Sequence, residues 1–282
     1  MIYRSLMFTP GTKKERLLKS VSSEADALLW DLEDAVHMDD KEGARETIRQ
    51  ALDELGDGPA KPIFLRVNQY GTPWYADDVK LARHENVTGI MLPKAESAAQ
   101  VAETWEGMGA SGELIVLVET ALGIIRLEDI FSGPNVTGVA FGAIDYAVDA
   151  DLTLTEAGLE ALYARSRIVT YAKAAGIPGI YDTVFPDVHN GESLRTRAAS
   201  ARALGFNGQM AIHPKQLPIM HEVYSPSRDE IDWAVKVLDY AENEAKGAGV
   251  FMFDGKMVDR PIIEKAKQIY SAGERYQLII GG

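Results

Sequence analysis

Apolar runs of strand length recur along the chain, and each gives way to a stretch in which apolar residues return at helical spacing. In chain order the runs are IYRSLMF, ALLWDLE, IFLRVN, GIMLPK, LIVLVE, GVAFGA, GIYDT and GQMAIHP. Nearly unbroken hydrophobicity marks strands covered on both faces, as a parallel sheet wrapped by helices requires. Between the runs lie segments such as Thr155 to Ala175, where Leu159, Leu162, Val169 and Ala172 fall on one helical face. About eight βα units in succession predict an α/β fold of the (β/α)8 TIM-barrel type. A doubly wound open sheet is the rival. It usually needs fewer strands, and its Gly-rich dinucleotide fingerprint is missing after the first run, where FTPGTKK stands.

No linker separates two domains before about residue 224, which assigns residues 1–224 to the barrel and 225–282 to a C-terminal extension. In that extension Ser227 to Lys246 reads as one long helix, VFMFDGKMVDRP as a hairpin turning at Asp254-Gly255, and a last helix starts from about Pro261. A helix-hairpin-helix exceeds what a barrel requires and predicts a separate task.

Polar residues close nearly every predicted strand at its C-terminal end. They are Asp31, Glu33 and Asp34, then Arg66 and Asn68, Lys94, Glu119, Asp145, Asp182 and His213. In a barrel these ends converge on one mouth, where this fold places its reacting groups. Carboxylates meeting there repel and take up protons unless a cation holds them. Hard oxygen donors without cysteine favour Mg²⁺, which takes one or two carboxylates and completes its octahedron with water and substrate. Glu119 and Asp145 end adjacent predicted strands and are the first choice of ligands, with Asp149 in reserve. A helix cap or a salt bridge at the rim is the plainer reading of any one of these acids.

Arg66 lies inside an apolar run and requires an acid, either Glu33 or Asp34 or a bidentate substrate carboxylate. Lys94 is read as an ion-pair partner of Glu96 or of the acidic cluster, with a Schiff-base nucleophile as the alternative. His213, just before Pro214, is read as a hydrogen-bonded turn element rather than a base.

Composition narrows the chemistry. The 282 residues contain no cysteine, which removes disulfides, thiolate metal sites and a catalytic thiol. A net charge of −13 disfavours nucleic acid and anionic membrane as partners, so an anionic ligand needs a local basic patch such as TKKER with Lys19 behind it. No apolar stretch of about 18 residues is present, and the start MIYRSLMFTPG has no signal-like core, which makes a cytoplasmic location the expectation.

The motifs FTPG, DLEDAV with Lys41 and Arg45 after it, LRVN, LPKAE, LVETALG, FGAIDYAVD, YDTVFPD, GFNGQMAIHPKQ and GKMVDRP span nearly the whole chain. In that order they resemble the citrate lyase β-chain-like (CitE-like) branch of the HpcH/HpaI aldolase superfamily. The resemblance implies a barrel assembled as a homotrimer or hexamer that breaks or forms a carbon–carbon bond beside the thioester of a 3-hydroxyacyl-CoA. Malyl-CoA and citramalyl-CoA are the implied types, giving acetyl-CoA and a 2-oxo acid. A citryl thioester on an acyl carrier protein, a plain 2-oxo-acid aldolase and a non-catalytic ligand-binding barrel are the other readings.

By the same resemblance Glu119 and Asp145 hold Mg²⁺, Arg66 grips the substrate carboxylate, and Glu33 and Asp34 lie near the metal's waters. Asp259 is an acid/base supplied by a neighbouring subunit. Thr9, Pro10 and Gly11 with Lys13, Lys14, Arg16 and Lys19 bind the CoA thioester, the lysines and Arg16 forming a rim for its phosphates. Two positions depart from the pattern: Gln209 stands where many relatives carry a basic residue, and Lys13 where arginine is common.

Overall fold

The computed structural model describes residues 2–56, 58–245 and 249–279. Eight strands, β1 Ser5–Pro10, β2 Ala27–Asp31, β3 Ile63–Arg66, β4 Gly89–Leu92, β5 Glu113–Val118, β6 Val136–Phe141, β7 Gly179–Asp182 and β8 Gly208–Ala211, close into a barrel in sequence order. Every neighbouring pair is parallel, and β1 closes on β8 through Ser5–Gln209, Leu6–Met210 and Met7–Ala211. Helices follow the strands, as the alternating pattern predicts. The eight runs read from the sequence coincide with these strands, although the polar residues beyond Arg66 and Val118 already belong to the loops above the barrel.

Side chains alternate across each strand, so every second residue points inward. Leu6, Ala27, Leu29, Phe64, Met91, Ile115, Leu117, Ala140, Tyr181 and Met210 fill the barrel in this way. Burying each large side chain contributes about 1.5–3 kcal/mol. The residues between them, such as Leu28, Trp30 and Ile90, are fully buried beneath the helices. This two-sided burial is why the runs lack polar alternation.

One expected helical face is corrected. After a 3₁₀ turn at Leu159–Ala161, the helix Leu162–Ala174 buries Ala164, Ile168 and Ala172, while Leu159 and Leu162 are exposed. The buried face is built from Ala164, Ile168 and Ala172, and the two leucines at the start of the helix lie on its solvent side.

The chain divides into two compact units, 1–220 and 221–282. The second holds the helix Arg228–Asn243, capped by Ser227 with Glu230 in a reciprocal capping box, the hairpin of β9 Val250–Phe253 and β10 Lys256–Asp259, and the helix Arg260–Arg275. The expected helix end at Lys246 lies outside the described residues, as do Met1 and residues 280–282 at the two ends of the assigned domains. The hairpin turns at Asp254 and Gly255 with φ of 49° and 72°, the left-handed pair of a two-residue type I′ turn. Phe251, Phe253 and Val258 pack on Ala234, Val237 and Ala266, and Tyr240 lies 5.3 Å and 5.4 Å from the rings of Phe251 and Phe253. Val250, Met252 and Met257, on the opposite face of the hairpin, are exposed.

Candidate active site

A cavity of about 460 Å³ opens at the C-terminal mouth of the barrel. Asp31, Asp34, Arg66, Glu119 and Asp145 line it together with Phe8, Pro10, Leu117, Ile144, Val184, Met210 and Ile212. Charged groups stand against an apolar wall, which keeps the local dielectric low and strengthens every charge interaction inside.

Arg66 ends β3 and is the centre of the charged side. Its Nε and Nη2 bind both oxygens of Asp31 at 2.6 and 2.7 Å, and Nη1 lies 3.0 Å from Glu33 Oε2 and 3.3 Å from Asp34 Oδ2. The Phe8 ring lies 4.6 Å from the guanidinium carbon. Burial works against the arginine's charge, but these carboxylates outweigh it and hold its pKa above the usual value. Asp31 is the bidentate partner that the sequence reading did not assign; it expected only Glu33, Asp34 or substrate. Asp31 closes β2 opposite Arg66 in register, and that pairing is the signal that finds it once the barrel order is known.

Glu119 follows β5 and is almost fully buried. Burial first, then the charges of Asp145 and Glu33, push its pKa up to about 8. Its Oε1 accepts the backbone N–H of Lys94 at 3.1 Å. Lys94 adopts φ of 49°, a left-handed conformation uncommon for a residue with a side chain, and this turns its N–H to the carboxylate. Its Nζ lies 3.3 Å from Glu33 Oε1 and 3.4 Å from Asp145 Oδ1. Burial lowers the stability of the Lys94 ammonium, yet Glu33, Glu119 and Asp145 together raise its pKa above the ordinary lysine value. A permanently charged ammonium is a counter-ion and a poor imine-forming nucleophile. Glu96, the alternative ion-pair partner, accepts instead from the Thr120 hydroxyl at 2.7 Å.

Asp145 sits in the first turn of the helix Ala143–Asp149, directly after β6, and is partly exposed. The strand β6 must turn into this helix against Glu119. Gly142 stands at that turn, and a Cβ there would lie 2.6 Å from Glu119 Cβ. Gly142→Ala is therefore expected to displace the Glu119 carboxylate and lower kcat/KM by at least about tenfold, since about 1 Å of misplacement suffices for larger losses. Steady-state kinetics with a thermal melt check this, and a wild-type rate would contradict it. Asp149 lies one turn beyond Asp145, but its Oδ2 accepts the Ala121 N–H at 2.7 Å and it does not line the cavity.

Other strand-end groups do not enter the mouth, contrary to the expectation of full convergence. Asp182 alternates with the inward Tyr181, points outward and binds Arg165 at 3.1 Å through both oxygens. Asn68 donates to Asp78 and to the Leu32 carbonyl. His213 accepts the Lys215 N–H at 3.1 Å, the turn element read from the sequence. Gln209 is buried and donates to the Thr183 carbonyl at 2.9 Å.

The FTPG segment forms the end of β1 and the turn after it. Thr9 is buried, Pro10 lines the cavity, and the Gly11 N–H donates to the Asp31 carbonyl at 2.9 Å. A side chain on Gly11 would lie 2.8 Å from both that carbonyl oxygen and Ile48 Cδ1, so only glycine permits this approach. Lys13 and Lys19 are exposed at the two ends of the helix Lys14–Val21 and do not line the cavity, and Lys14 pairs with Glu54 at 2.8 Å. Asp259 lies in the second unit, where it caps the helix Arg260–Arg275 by accepting the Ile262 N–H at 3.3 Å.

The donor set suits a hard divalent cation. Among the described residues no group of three His, Cys, Asp or Glu side chains is placed to hold a metal ion. Mg²⁺ does not require one, because it keeps several waters and binds through one or two carboxylates. Among the described residues, Asp31, Glu33, Asp34, Glu119 and Asp145 form ion pairs with Arg66 or Lys94 or stand beside those that do, and five carboxylates against these two cations leave an excess of negative charge at Glu119 and Asp145. Two positive charges there would offset the repulsion from Asp145 and Glu33, which adds to burial in raising the Glu119 pKa.

The family described as HpcH/HpaI aldolase/citrate lyase matches residues 4–214. The chain is 34% identical over 277 residues to a citrate lyase subunit beta-like protein of Deinococcus radiodurans, covering 96% of this chain and 97% of the relative. It is 31% identical to the mitochondrial citramalyl-CoA lyase of Homo sapiens over 94% of this chain and 83% of that one. A crystal structure of CitE from Mycobacterium tuberculosis in complex with magnesium, acetoacetate and coenzyme A is similar at a TM-score of 0.81 and 32% identity, over 96% of this chain and 98% of that chain. Among the described residues no helix is long and apolar enough to cross a membrane.

Proposed function

Because the chain belongs to the CitE-like branch of the HpcH/HpaI aldolase/citrate lyase family, we propose that it is a Mg²⁺-dependent carbon–carbon lyase of 3-hydroxyacyl-CoA thioesters of the malyl-CoA or citramalyl-CoA type. It releases acetyl-CoA and a 2-oxo acid, or catalyses the reverse condensation. The observation that carries this reading is the pair Glu119 and Asp145, short of counter-charge, in one cavity with the Arg66 guanidinium.

In this reading Glu119 and Asp145 hold the Mg²⁺. When bound, the ion supplies Lewis acidity to the substrate's hydroxyl and carboxylate and lowers the hydroxyl pKa. Arg66, already fixed by Asp31, presents Nη1 to the substrate carboxylate and orients the carbinol carbon. Glu33 Oε2 is buried behind the cavity lining and has an ion-pair contact with Arg66 but no hydrogen bond, which leaves it free to accept a proton passed on beside Arg66. Burial raises the Glu33 pKa, with Arg66 opposing, and this favours proton uptake by the carboxylate. Lys94 balances Glu33 and Asp145 as a fixed charge. Leu117, Val184 and Met210 offer the departing thioester enolate an apolar wall, with Ile144 and Ile212 at its solvent-exposed edge.

Asp259 of a neighbouring subunit supplies the acid/base that protonates that enolate, within a homotrimer or hexamer in the cytoplasm. Pro10 and Gly11 shape the cavity edge, with Thr9 behind them and Lys13 and Lys19 as phosphate contacts. Asp259→Asn is expected to lower kcat by about 10²–10⁴-fold, the range of general acid–base catalysis. Folding and Mg²⁺ affinity should stay near wild type, because asparagine caps a helix about as well as aspartate. Unchanged turnover in that variant would remove Asp259 from the mechanism.

A substrate panel tests the whole reading. The purified chain, given malyl-CoA and citramalyl-CoA, should release acetyl-CoA with glyoxylate or pyruvate, lose activity in EDTA and form no borohydride-trapped adduct. Activity only with an added acyl-carrier thioester would instead identify a subunit that depends on a partner. EDTA-resistant cleavage with an adduct at Lys94 would refute the metal reading.

A further inference from the structure

Glu33 reaches Arg66 and Lys94 from a loop, not from a strand, so something other than the sheet must hold it. Its backbone is held on both sides. The Leu32 carbonyl accepts Lys41 Nζ at 2.8 Å and Asn68 Nδ2 at 2.9 Å, while across the same planar peptide the Glu33 N–H donates to Asp31 Oδ1 at 3.0 Å. The next carbonyl, that of Glu33, accepts Lys41 Nζ at 2.7 Å and the Val36 N–H at 3.0 Å. Both peptide planes flanking the Glu33 Cα are therefore pinned, which fixes its φ and ψ and the direction in which its Cβ leaves the backbone.

Lys41 is an expensive choice for this task. It is only 7% exposed in the helix Lys41–Glu54 and, among the described residues, makes no ion pair with a carboxylate. An apolar side chain of similar length would avoid desolvating an ammonium, so packing alone does not account for it. Behind the second donor stands Asp78, fully buried, which accepts the Asn68 N–H at 2.9 Å, Asn68 Nδ2 at 2.6 Å and Arg45 Nε at 2.9 Å. Every partner of this chain, Arg45–Asp78–Asn68–Leu32–Lys41, lies outside the cavity lining.

We propose that Lys41, with Asn68 held by Asp78 as its second, is a positioning residue that clamps the Leu32–Glu33 backbone and so aims the Glu33 carboxylate at Arg66 and Lys94. This rests on the reading of the cavity as a lyase site. The ammonium also lies 5.7 Å from the centre of the Trp74 ring, but its hydrogen bonds go to backbone carbonyls, and it stands outside the cavity lining.

The absence of cysteine gives a direct test, since Lys41→Cys supplies a single thiol that 2-bromoethylamine converts to a lysine analogue during refolding. Lys41→Met and unmodified Lys41→Cys are expected to lower kcat by about 10²-fold, the loss that a misplacement of about 1 Å produces, with thioester KM and Mg²⁺ affinity within about threefold of wild type. Aminoethylation should restore kcat by at least about tenfold on that same scale. A crystal structure of Lys41→Met should show the Glu33 carboxylate withdrawn from Arg66 and Lys94. Wild-type kcat per folded molecule, a loss that the restored ammonium does not reverse, or an unmoved Glu33 would each overturn the proposal. If Lys41→Met does not fold, Asn68→Ala, which removes one donor to Leu32, serves instead with an expected kcat loss of about tenfold for a smaller misplacement, and normal turnover there overturns the clamp. Should the wild type turn over no CoA thioester, the lyase reading fails while the position of Glu33 still decides the clamp.

Discussion

Glu119→Gln is expected to lower kcat/KM by about 10³-fold or more and, in the metal-free protein at pH 8, to raise the melting temperature. The two effects have one cause. Loss of a metal ligand removes several kcal/mol of Lewis-acid stabilisation, at about 1.4 kcal/mol per tenfold in rate. The same carboxylate is a burden without the ion, because burial and the charges of Asp145 and Glu33 push its pKa to about 8. In the unfolded chain a glutamate titrates near about 4.3. Between these values the folded protein holds a proton that the unfolded chain has lost, so metal-free stability falls as pH rises through that window and levels off above about pH 8. Glutamine carries no such penalty. The melting temperatures of variant and wild type should therefore nearly coincide near pH 4.5 and separate by several degrees at pH 8, with saturating Mg²⁺ restoring only the wild type. Because the ion must displace the Glu119 proton, its affinity should also rise with pH up to about 8. A wild-type melting curve that is flat across this range would refute the assignment.

Arg66→Met carries the largest expected cost to stability. The guanidinium is buried against Asp31, Glu33 and Asp34, and removing it leaves the fully buried Asp31 without its bidentate partner. Breaking a buried pair from one side costs about 3–5 kcal/mol, and urea unfolding should show a loss of this size. Adding Asp31→Asn should recover part of that stability, because an amide needs no counter-charge, and should recover none of the turnover. Arg66→Lys should also fail in turnover, since one ammonium cannot reproduce the planar fork that serves Asp31, Glu33 and Asp34 together. Full activity in Arg66→Lys would show that the substrate carboxylate is held elsewhere.

The barrel was legible because its strands are buried on both faces, which leaves uninterrupted runs such as LIVLVE and GIML that only a covered parallel sheet explains. The hairpin and the helix before it in the second unit were legible for local reasons: Asp254-Gly255 matches a two-residue turn, and the helix read from Ser227 begins there, where the structure adds a capping box with Glu230. Strand ends were legible as a group but not one by one. Arg66 and Asp182 both terminate apolar strands, yet one faces the mouth and the other the helix layer, and the sequence does not register that phase. Asp31 was visible as a strand-closing acid, but its claim on Arg66 follows only from the registered pairing of β2 with β3. Lys41 was harder still. Its carbonyl acceptors carry no residue-type signal, because backbone oxygens are the same whatever the sequence. The misplaced face at Leu159 and Leu162 escaped the pattern because the true buried face is mostly alanine, whose small side chains give a weak hydrophobic signal beside exposed leucines.

The claim on which the rest stands is that Glu119 and Asp145 jointly hold one divalent cation at the barrel mouth. Anomalous diffraction from crystals grown with Mn²⁺ in place of Mg²⁺ locates that ion directly. A single strong peak is expected at about 2.0–2.3 Å from an oxygen of each carboxylate, and it should be lost in Glu119→Gln. A peak elsewhere in the barrel, or no peak with the two side chains facing apart, would contradict it.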